Sequence, residues 1–273
     1  MGLQITNEEK GELLGIIRER YGYDFSEYAE ASIKRRINRF ADINSFENYF
    51  DVRHHLANDQ NLFVAFILEI TVNVTEMFRD PAFFKCLAEK VFPLLTTYAH
   101  RKVWHAGCST GEEVYSLAIL LKENSLYRDT IIYATDINTK VVKQAREGVF
   151  PLKLMKEFTA NYLKAGGQES LSDYYTADYD SVIMNKSLKK NMVFSTHNLA
   201  GDTSFNEFQM IICRNVLIYF NQELQDKVLQ LFYESLCMFG FLALGSKESI
   251  THSKLRDKFE VIDKNEKIFR KIA

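Results

Sequence analysis

Up to about residue 80, apolar positions recur at helical spacing and none alternates as a strand would. Leu13, Leu14, Ile16 and Ile17 make one stripe, with Thr6 and Glu9 spaced as a capping box ahead of it and Gly22 as its stop. A second helix is predicted over 26–40, a third behind Ser45 in S-F-E-N-Y-F-D-V, and a fourth over 62–70. Short helices on short links predict a compact helical subdomain. Asp80–Pro81 then supplies a cap and a first-turn proline before Phe83, Phe84, Leu87 and Val91. Beyond this the pattern changes. Apolar runs at 103–106, 131–135, 192–194, 208–213 and 241–244 are separated by loops and helical stretches. That is how a parallel α/β sheet reads. Residues 259–262 and 267–271 supply the last strands, the final one antiparallel as a hairpin.

The expected fold class is α/β, a doubly wound Rossmann-like sheet with an all-helical N-terminal domain and a small antiparallel β insertion. The expected bounds are 1–78 for the helical domain and 79–273 for the α/β domain, with the insertion at about 149–196. Within the insertion, 173–177, 180–184 and 191–195 read as strands, with Gly166–Gly167 and 186–190 free to turn.

The segment V-W-H-A-G-C-S-T-G-E-E-V-Y-S-L (103–117) is a strand, a glycine loop and a helix start, and A-T-D ends the next strand at Asp136. This series builds a nucleotide-sized pocket at the carboxyl edge of a parallel sheet. Gly107 and Gly111 permit a tight turn and close approach of backbone to ligand. The spacing is G-x-x-x-G, and no G-K-S/T follows. Glu112 and Glu113 stand where a dinucleotide would lay its pyrophosphate and would repel it. S-adenosylmethionine carries an ammonium and a sulfonium and no phosphate, so the local charge favours it over NAD or ATP. One acid complements the helix dipole, and Glu113 is taken as the ligand-facing one. Asp136 suits the two ribose hydroxyls. The strand 208–213 ends at Arg214–Asn215 and a short apolar turn to Tyr219, placing these at the same crevice, and Asn198 and Leu199 follow the strand 192–194.

Composition narrows the classes. A net charge of −2 gives no basic footprint for nucleic acid. The longest apolar run, 62–72, contains Glu69 and is too short for a bilayer. The N-terminus lacks a signal-peptide layout, and its match to a myristoylation pattern through Gly2 and Thr6 is short enough to arise by chance. Cys86, Cys108, Cys213 and Cys237 lie far apart without metal-ligand spacing, the pattern of reduced thiols in a cytoplasmic protein. In the second helix Arg35, Arg36 and Arg39 cluster opposite Ile33, Ile37 and Phe40, either as an ordinary solvated face or as a docking surface for something acidic.

Four segments, in order, resemble the CheR family of bacterial chemoreceptor glutamate O-methyltransferases: T-V-N-V-T-E-M-F-R-D, A-G-C-S-T-G-E-E-V-Y-S-L-A, A-T-D-I-N and I-I-C-R-N-V-L-I-Y-F. The resemblance covers nearly the whole chain. It implies transfer of the methyl of S-adenosylmethionine to glutamate side chains on a receptor's cytoplasmic helical domain, leaving S-adenosylhomocysteine and a glutamyl methyl ester, with no metal. It implies that Asn73, Thr75, Arg79, Gly107, Glu113, Asp136, Asn198, Leu199, Arg214 and Asn215 contact cofactor. It implies that Arg79 and Tyr219 lie nearest the reacting methyl and that Arg35, Arg36 and Arg39 dock the receptor. The sequence departs from the family at Val114, where a proline is usual, and at Lys247 of G-S-K-E-S, where a histidine is usual. In some members the insertion binds a peptide at the receptor's C-terminus; its length and loop composition here assign no such role. Two alternatives remain open: a methyltransferase with a different acceptor, and a receptor-binding adaptor with a cofactor pocket and no transfer. C-R-N-V in place of N-P-P-Y/F argues against amine acceptors.

Overall fold

The computed structural model describes residues 3–71, 75–251 and 253–273. Asn73, expected to contact cofactor, lies outside the described residues, as does Gly2. The chain divides into two compact units, Met1–Asn73 with Ile218–Lys227, and Val74–Leu217 with Val228–Ala273.

The first unit holds α1 (Asn7–Tyr21), α2 (Glu30–Ile43), α3 (Tyr49–Asn58) and α4 (Gln60–Ile70). The capping box ahead of α1 forms as predicted, and Gly22 closes the helix in the left-handed conformation. Leu13, Ile17, Ile37, Val52, Leu56 and Phe66 are fully buried at its centre. The second helix starts later than the sequence indicates. Tyr28 bridges Phe220, and the Ala29 amide donates to the Tyr219 carbonyl at 2.8 Å, so this stretch is spent on pairing before α2 begins. Ser45 does not cap α3. It lies in the left-handed region (φ 56°) at the close of α2, and Asn48 caps instead, accepting from the Asp51 amide at 3.1 Å. Asp59 caps α4 through the Asn61 and Leu62 amides.

The second unit opens with α5 (Pro81–Cys86), which runs through one π-type turn, Leu87–Val91, into α6 (Phe92–Leu95). The wider turn comes just before Pro93, which lacks an amide donor and would crowd a regular turn. Then follow β1 (Arg101–Ala106), α7 (Glu112–Glu123), β2 (Thr130–Asp136), α8 (Thr139–Glu147), β3 (Val149–Pro151), α9 (Met155–Lys164), β4 (Tyr175–Asp178), β5 (Ser181–Met184), α10 (Lys186–Lys189), β6 (Met192–Thr196) and β7 (Phe208–Cys213). Helix α11 (Gln222–Ser235) begins in the first unit, and β8 (Leu236–Leu244), β9 (Phe259–Asp263) and β10 (Ile268–Lys271) complete the chain. The main sheet has the order β6-β2-β1-β7-β8-β10-β9. Its first five strands are parallel, and β10 runs antiparallel to both β8 and β9, as the expected final hairpin. The order reverses between β1 and β7, which opens a crevice beyond the carboxyl ends of those strands.

The insertion is a three-stranded antiparallel sheet, β3-β5-β4. One strand expected there belongs elsewhere: residues 192–196 pair with β2 as the edge of the main sheet. Val149–Pro151 takes the third place, a strand too short and proline-ended to read from sequence. Helix α9 was also not anticipated. The Glu123 carboxylate on α7 anchors the insertion, accepting from the Tyr162 and Tyr174 hydroxyls and the Gln168 amide.

Candidate functional site

The loop after β1 is shaped by its contacts. The amides of Gly107 and Cys108 both donate to the Thr135 carbonyl at 2.8 Å, folding the chain across the end of β2. Gly107 has φ +79°, and a Cβ there would stand 2.4 Å from Val216 Cγ2, so only glycine fits against the turn after β7. Gly111 begins α7 at φ +98°, with no room for a Cβ beside Ala145. Asp136 closes β2 and is nearly buried. Its Oδ2 accepts from the Ser109 amide at 2.9 Å and its Oδ1 from the Asn138 amide at 3.0 Å. Burial pushes this carboxyl up, and those amides oppose the rise. The Ser109 hydroxyl is buried in the same loop and has no hydrogen-bond partner among the described residues.

The first turn of α7 divides its two acids. Glu112 turns back to the Thr110 hydroxyl at 2.6 Å, and burial pushes its carboxyl up to about 7. Glu113 is the centre of a charge cluster. Its Oε2 accepts from Arg214 Nη1 at 2.6 Å, and its Oε1 lies 3.0 Å from His105 Nε2. Burial alone would raise this carboxyl, but the Arg214 guanidinium and His105 outweigh burial and hold it well below the ordinary range. Arg214 itself is 2% exposed at the side chain; it also pairs Asp80 Oδ2 at 2.7 Å and lies 4.0 Å over the Phe83 ring. Asp80, expected as a capping carboxylate, makes no side-chain cap. It is left-handed (φ 55°) and ion-paired instead.

A further carboxylate underlies the turn after β7. Glu248, almost fully buried, accepts from the amides of Asn215 (3.1 Å), Val216 (2.9 Å) and Gly245 (2.6 Å). Asn215 is held there at φ 60°. The opposite flank is pinned by the Phe78 amide donating to the Ser116 hydroxyl at 2.8 Å, which fixes the segment leading to Arg79. Beside β6, the His197 amide donates to the Asp136 carbonyl at 3.1 Å, bringing half-buried Asn198 and Leu199 to the same crevice.

The family model for the CheR methyltransferase SAM binding domain matches residues 73–268, and that for the CheR methyltransferase all-alpha domain matches residues 9–71. The chain belongs to the CheR methyltransferase family. Among CheR relatives, the methyltransferase-named Cher3 protein of Pseudomonas putida is 48% identical over 259 residues, 95% of each chain. The chemotaxis protein methyltransferases of Listeria monocytogenes and Borreliella burgdorferi are 32% and 30% identical. Those alignments cover 86% and 93% of this chain, and 87% and 92% of the relatives.

For a CheR domain that binds S-adenosylmethionine, the groups at the crevice fit. The donor set is acidic and amide-rich, as a cationic, phosphate-free nucleoside needs, and the Ser109 hydroxyl is an unspent buried polar group beside Asp136. Gly107, Glu113, Asp136, Asn198, Leu199, Arg214 and Asn215 gather around the ends of β1, β2, β6 and β7, with Thr75 and Arg79 on the segment before α5. Tyr219 and the arginines of α2 lie in the first unit. There Arg36 is mostly covered: it donates to the Glu69 carbonyl at 2.7 Å and lies 5.8 Å over the Tyr219 ring. Arg39 is 67% exposed, pairs Glu69 at 3.2 Å, and borders with exposed Arg35 a surface groove of about 440 Å³. Sequence reading missed Glu248 and His105. The only signals were an acid directly after Lys247 and a histidine inside an apolar strand.

Proposed function

We propose that this protein is a cytoplasmic glutamate O-methyltransferase. It moves the methyl of S-adenosylmethionine to glutamate carboxylates on the helical cytoplasmic domain of bacterial chemoreceptors. The observation that carries the reading is the match of both CheR domain models in order along one chain, beside an acid-lined crevice at the sheet's switch point. The expected division, a docking domain over 1–78 and a transfer domain over 79–273, belongs to this proposal.

When bound, S-adenosylmethionine supplies an electrophilic methyl. Asp136 takes the ribose hydroxyls, Asn198 and Leu199 flank the adenine, and Thr75, Arg79, Glu113, Arg214 and Asn215, with Asn73, are further contacts to the donor. Gly107 lets the backbone approach. The acceptor needs no base, because a glutamate carboxyl titrates near ~4.3 and is already ionised at neutral pH. The chain's task is to strip water from that carboxylate and align it without over-stabilising it. Arg79 and Tyr219 do this with one guanidinium and one phenol. Arg35, Arg36 and Arg39 dock the receptor's acidic helices.

Incubation with methyl-labelled S-adenosylmethionine and chemoreceptor-bearing membranes tests the reading. Base-labile label on the receptor is expected. Base-stable label would indicate nitrogen methylation, and cofactor binding without transfer would indicate an adaptor; either sinks the proposal.

A further inference from the structure

Of the three arginines on α2, one is turned inward. Arg35 and Arg39 are exposed, whereas the Arg36 side chain is 13% exposed. Its Nη1 donates to the Glu69 backbone carbonyl at 2.7 Å and lies 3.8 Å from the Glu69 carboxylate. Its Nε is buried with no hydrogen-bond partner among the described residues. The guanidinium carbon stands over the Tyr219 ring, 5.8 Å from its centroid, within reach of a cation–π contact. The same helix also holds the main chain of that tyrosine. Ala29, at the cap of α2, donates its amide to the Tyr219 carbonyl at 2.8 Å, Tyr28 bridges Phe220, and the Asn221 amide donates to the Glu27 carbonyl at 2.9 Å. Ala29 and Arg36 are two helical turns apart and share a face. One end of that face grips the main chain of Tyr219, and the other meets its ring. Glu69 already has Arg39 at 3.2 Å, so it does not call for a second, desolvated cation whose Nε is left idle. What Arg36 adds is its contact with the phenol.

We propose that Arg36 is a positioning residue for Tyr219: it lies against the ring and fixes the direction in which the phenol hydroxyl points. This rests on the reading of Tyr219 as the phenol that aligns the acceptor carboxylate. The paired main chain at 27–29 and 219–221 sets where the tyrosine begins but leaves its two side-chain torsions free. A planar cation over one ring face removes that freedom, and an in-line transfer demands alignment to within about an ångström. Lysine, a point charge on a flexible stem, supplies no such plane. Arg36 and Arg39 share the Glu69 carboxylate, so the exposed docking face and the phenol are joined through one side chain. Docking itself then falls to Arg35 and Arg39.

Fluorine resonance of the full chain labelled with 3-fluorotyrosine, together with methyl transfer to chemoreceptor-bearing membranes, tests this. The resonance missing from Tyr219→Phe is expected to move in Arg36→Met and to stay in place in Arg35→Met. In transfer, Arg36→Met is expected to lower kcat about tenfold at an unchanged S-adenosylmethionine Kd, whereas Arg35→Met acts on the receptor KM. Because the two side chains act as one unit, Arg36→Met is expected to change kcat by less than about twofold in a Tyr219→Phe background. Arg36→Lys keeps a donor for Glu69 and is expected to keep the helical circular dichroism under urea, yet still to lower kcat by about threefold or more. Should Arg36→Met fail to fold, Arg36→Lys carries the same two readouts. An unmoved resonance, or a kcat loss of equal size with and without the Tyr219 hydroxyl, overturns the role of Arg36 alone. Wild-type turnover in Tyr219→Phe, with the resonance shift intact, overturns the reading of Tyr219 and the positioning role with it.

Discussion

Replacing Arg214 with methionine is the sharpest test of how the crevice is held together. The substitution keeps an unbranched side chain over Phe83 but removes the guanidinium that meets Glu113 at 2.6 Å and Asp80 at 2.7 Å. Asp80 is about half exposed and can turn to water; Glu113, 10% exposed at the side chain, cannot. Breaking a buried pair from one side costs about 3–5 kcal/mol, because the remaining charge stays desolvated. Arg214→Met is therefore expected to lose about that much stability near pH 8. Removing both charges, in Glu113→Gln with Arg214→Met, is expected to cost no more than Arg214→Met alone, a coupling of about 2 kcal/mol or more.

The sign with pH follows from the same geometry. In the wild type, Arg214 and His105 depress the folded Glu113 carboxyl, so its contribution is present above the unfolded value and lost as pH falls through the folded one. Without the guanidinium, burial dominates and the folded value rises. The penalty of Arg214→Met is then expected to shrink as pH falls toward 5. Trp104 gives the readout. It is the only tryptophan, fully buried on β1, with its indole N–H on the Thr135 hydroxyl at 2.8 Å, so its fluorescence under urea follows the second unit. A loss under about 1 kcal/mol, or costs that add within about 0.5 kcal/mol, would refute the argument.

Three other outcomes are expected. Arg79→Ala should lower turnover by at least about tenfold with an unchanged urea midpoint, because its proposed role is to orient the acceptor; equal turnover in folded protein would remove it from the site. Arg35→Glu with Arg39→Glu should weaken receptor methylation and spare cofactor binding in calorimetry, whereas Arg36→Glu should also destabilise the first unit by about 1–3 kcal/mol, since it leaves the Glu69 carbonyl unpartnered by Arg36. Glu112, pushed up to about 7 by burial, contributes stability that is complete below its unfolded value of 4.5 and lost as pH rises through about 7; Glu112→Gln should therefore stabilise the protein at pH 8 by about 2–3 kcal/mol and flatten that slope in urea titrations.

Much of this was legible because it is local. The α1 capping box, the glycine turn of 107–111 and the acid ending β2 each follow from residues within a few positions of one another. What the sequence hid is set by distant partners. Helix α2 starts late because 28–29 pair with 219–220. Asp80 has the sequence of a cap but answers to an arginine 134 residues on. Arg36 shares a helix with Arg39 yet is drawn inward by Glu69 and Tyr219. Residues 192–196 look equally at home in either sheet until β2 offers its edge. Glu248 was invisible for the same reason: a carboxylate that serves backbone amides leaves no pattern around itself.

Those distant partners share one logic. Around the crevice four non-glycine residues are left-handed: Phe78, Asp80, Ser109 and Asn215, with φ between 49° and 60°. Each such residue costs on the order of 1 kcal/mol or more and persists only where its surroundings over-determine it. Here each is met by a buried polar side chain: Phe78 by Ser116, Asp80 by Arg214, Ser109 by Asp136, and Asn215 by Glu248. The strain and its fasteners fall on the loops at the carboxyl ends of the strands and on the segment before α5, while the strands beneath them are mainly apolar, His105 and Arg101 of β1 excepted. The proposed methyl transfer to a carboxylate that is already ionised asks for alignment more than for acid or base. Under that proposal, loops held by long-range side-chain bonds supply the alignment, with buried carboxylates such as Asp136 and Glu248 fastening the backbone amides.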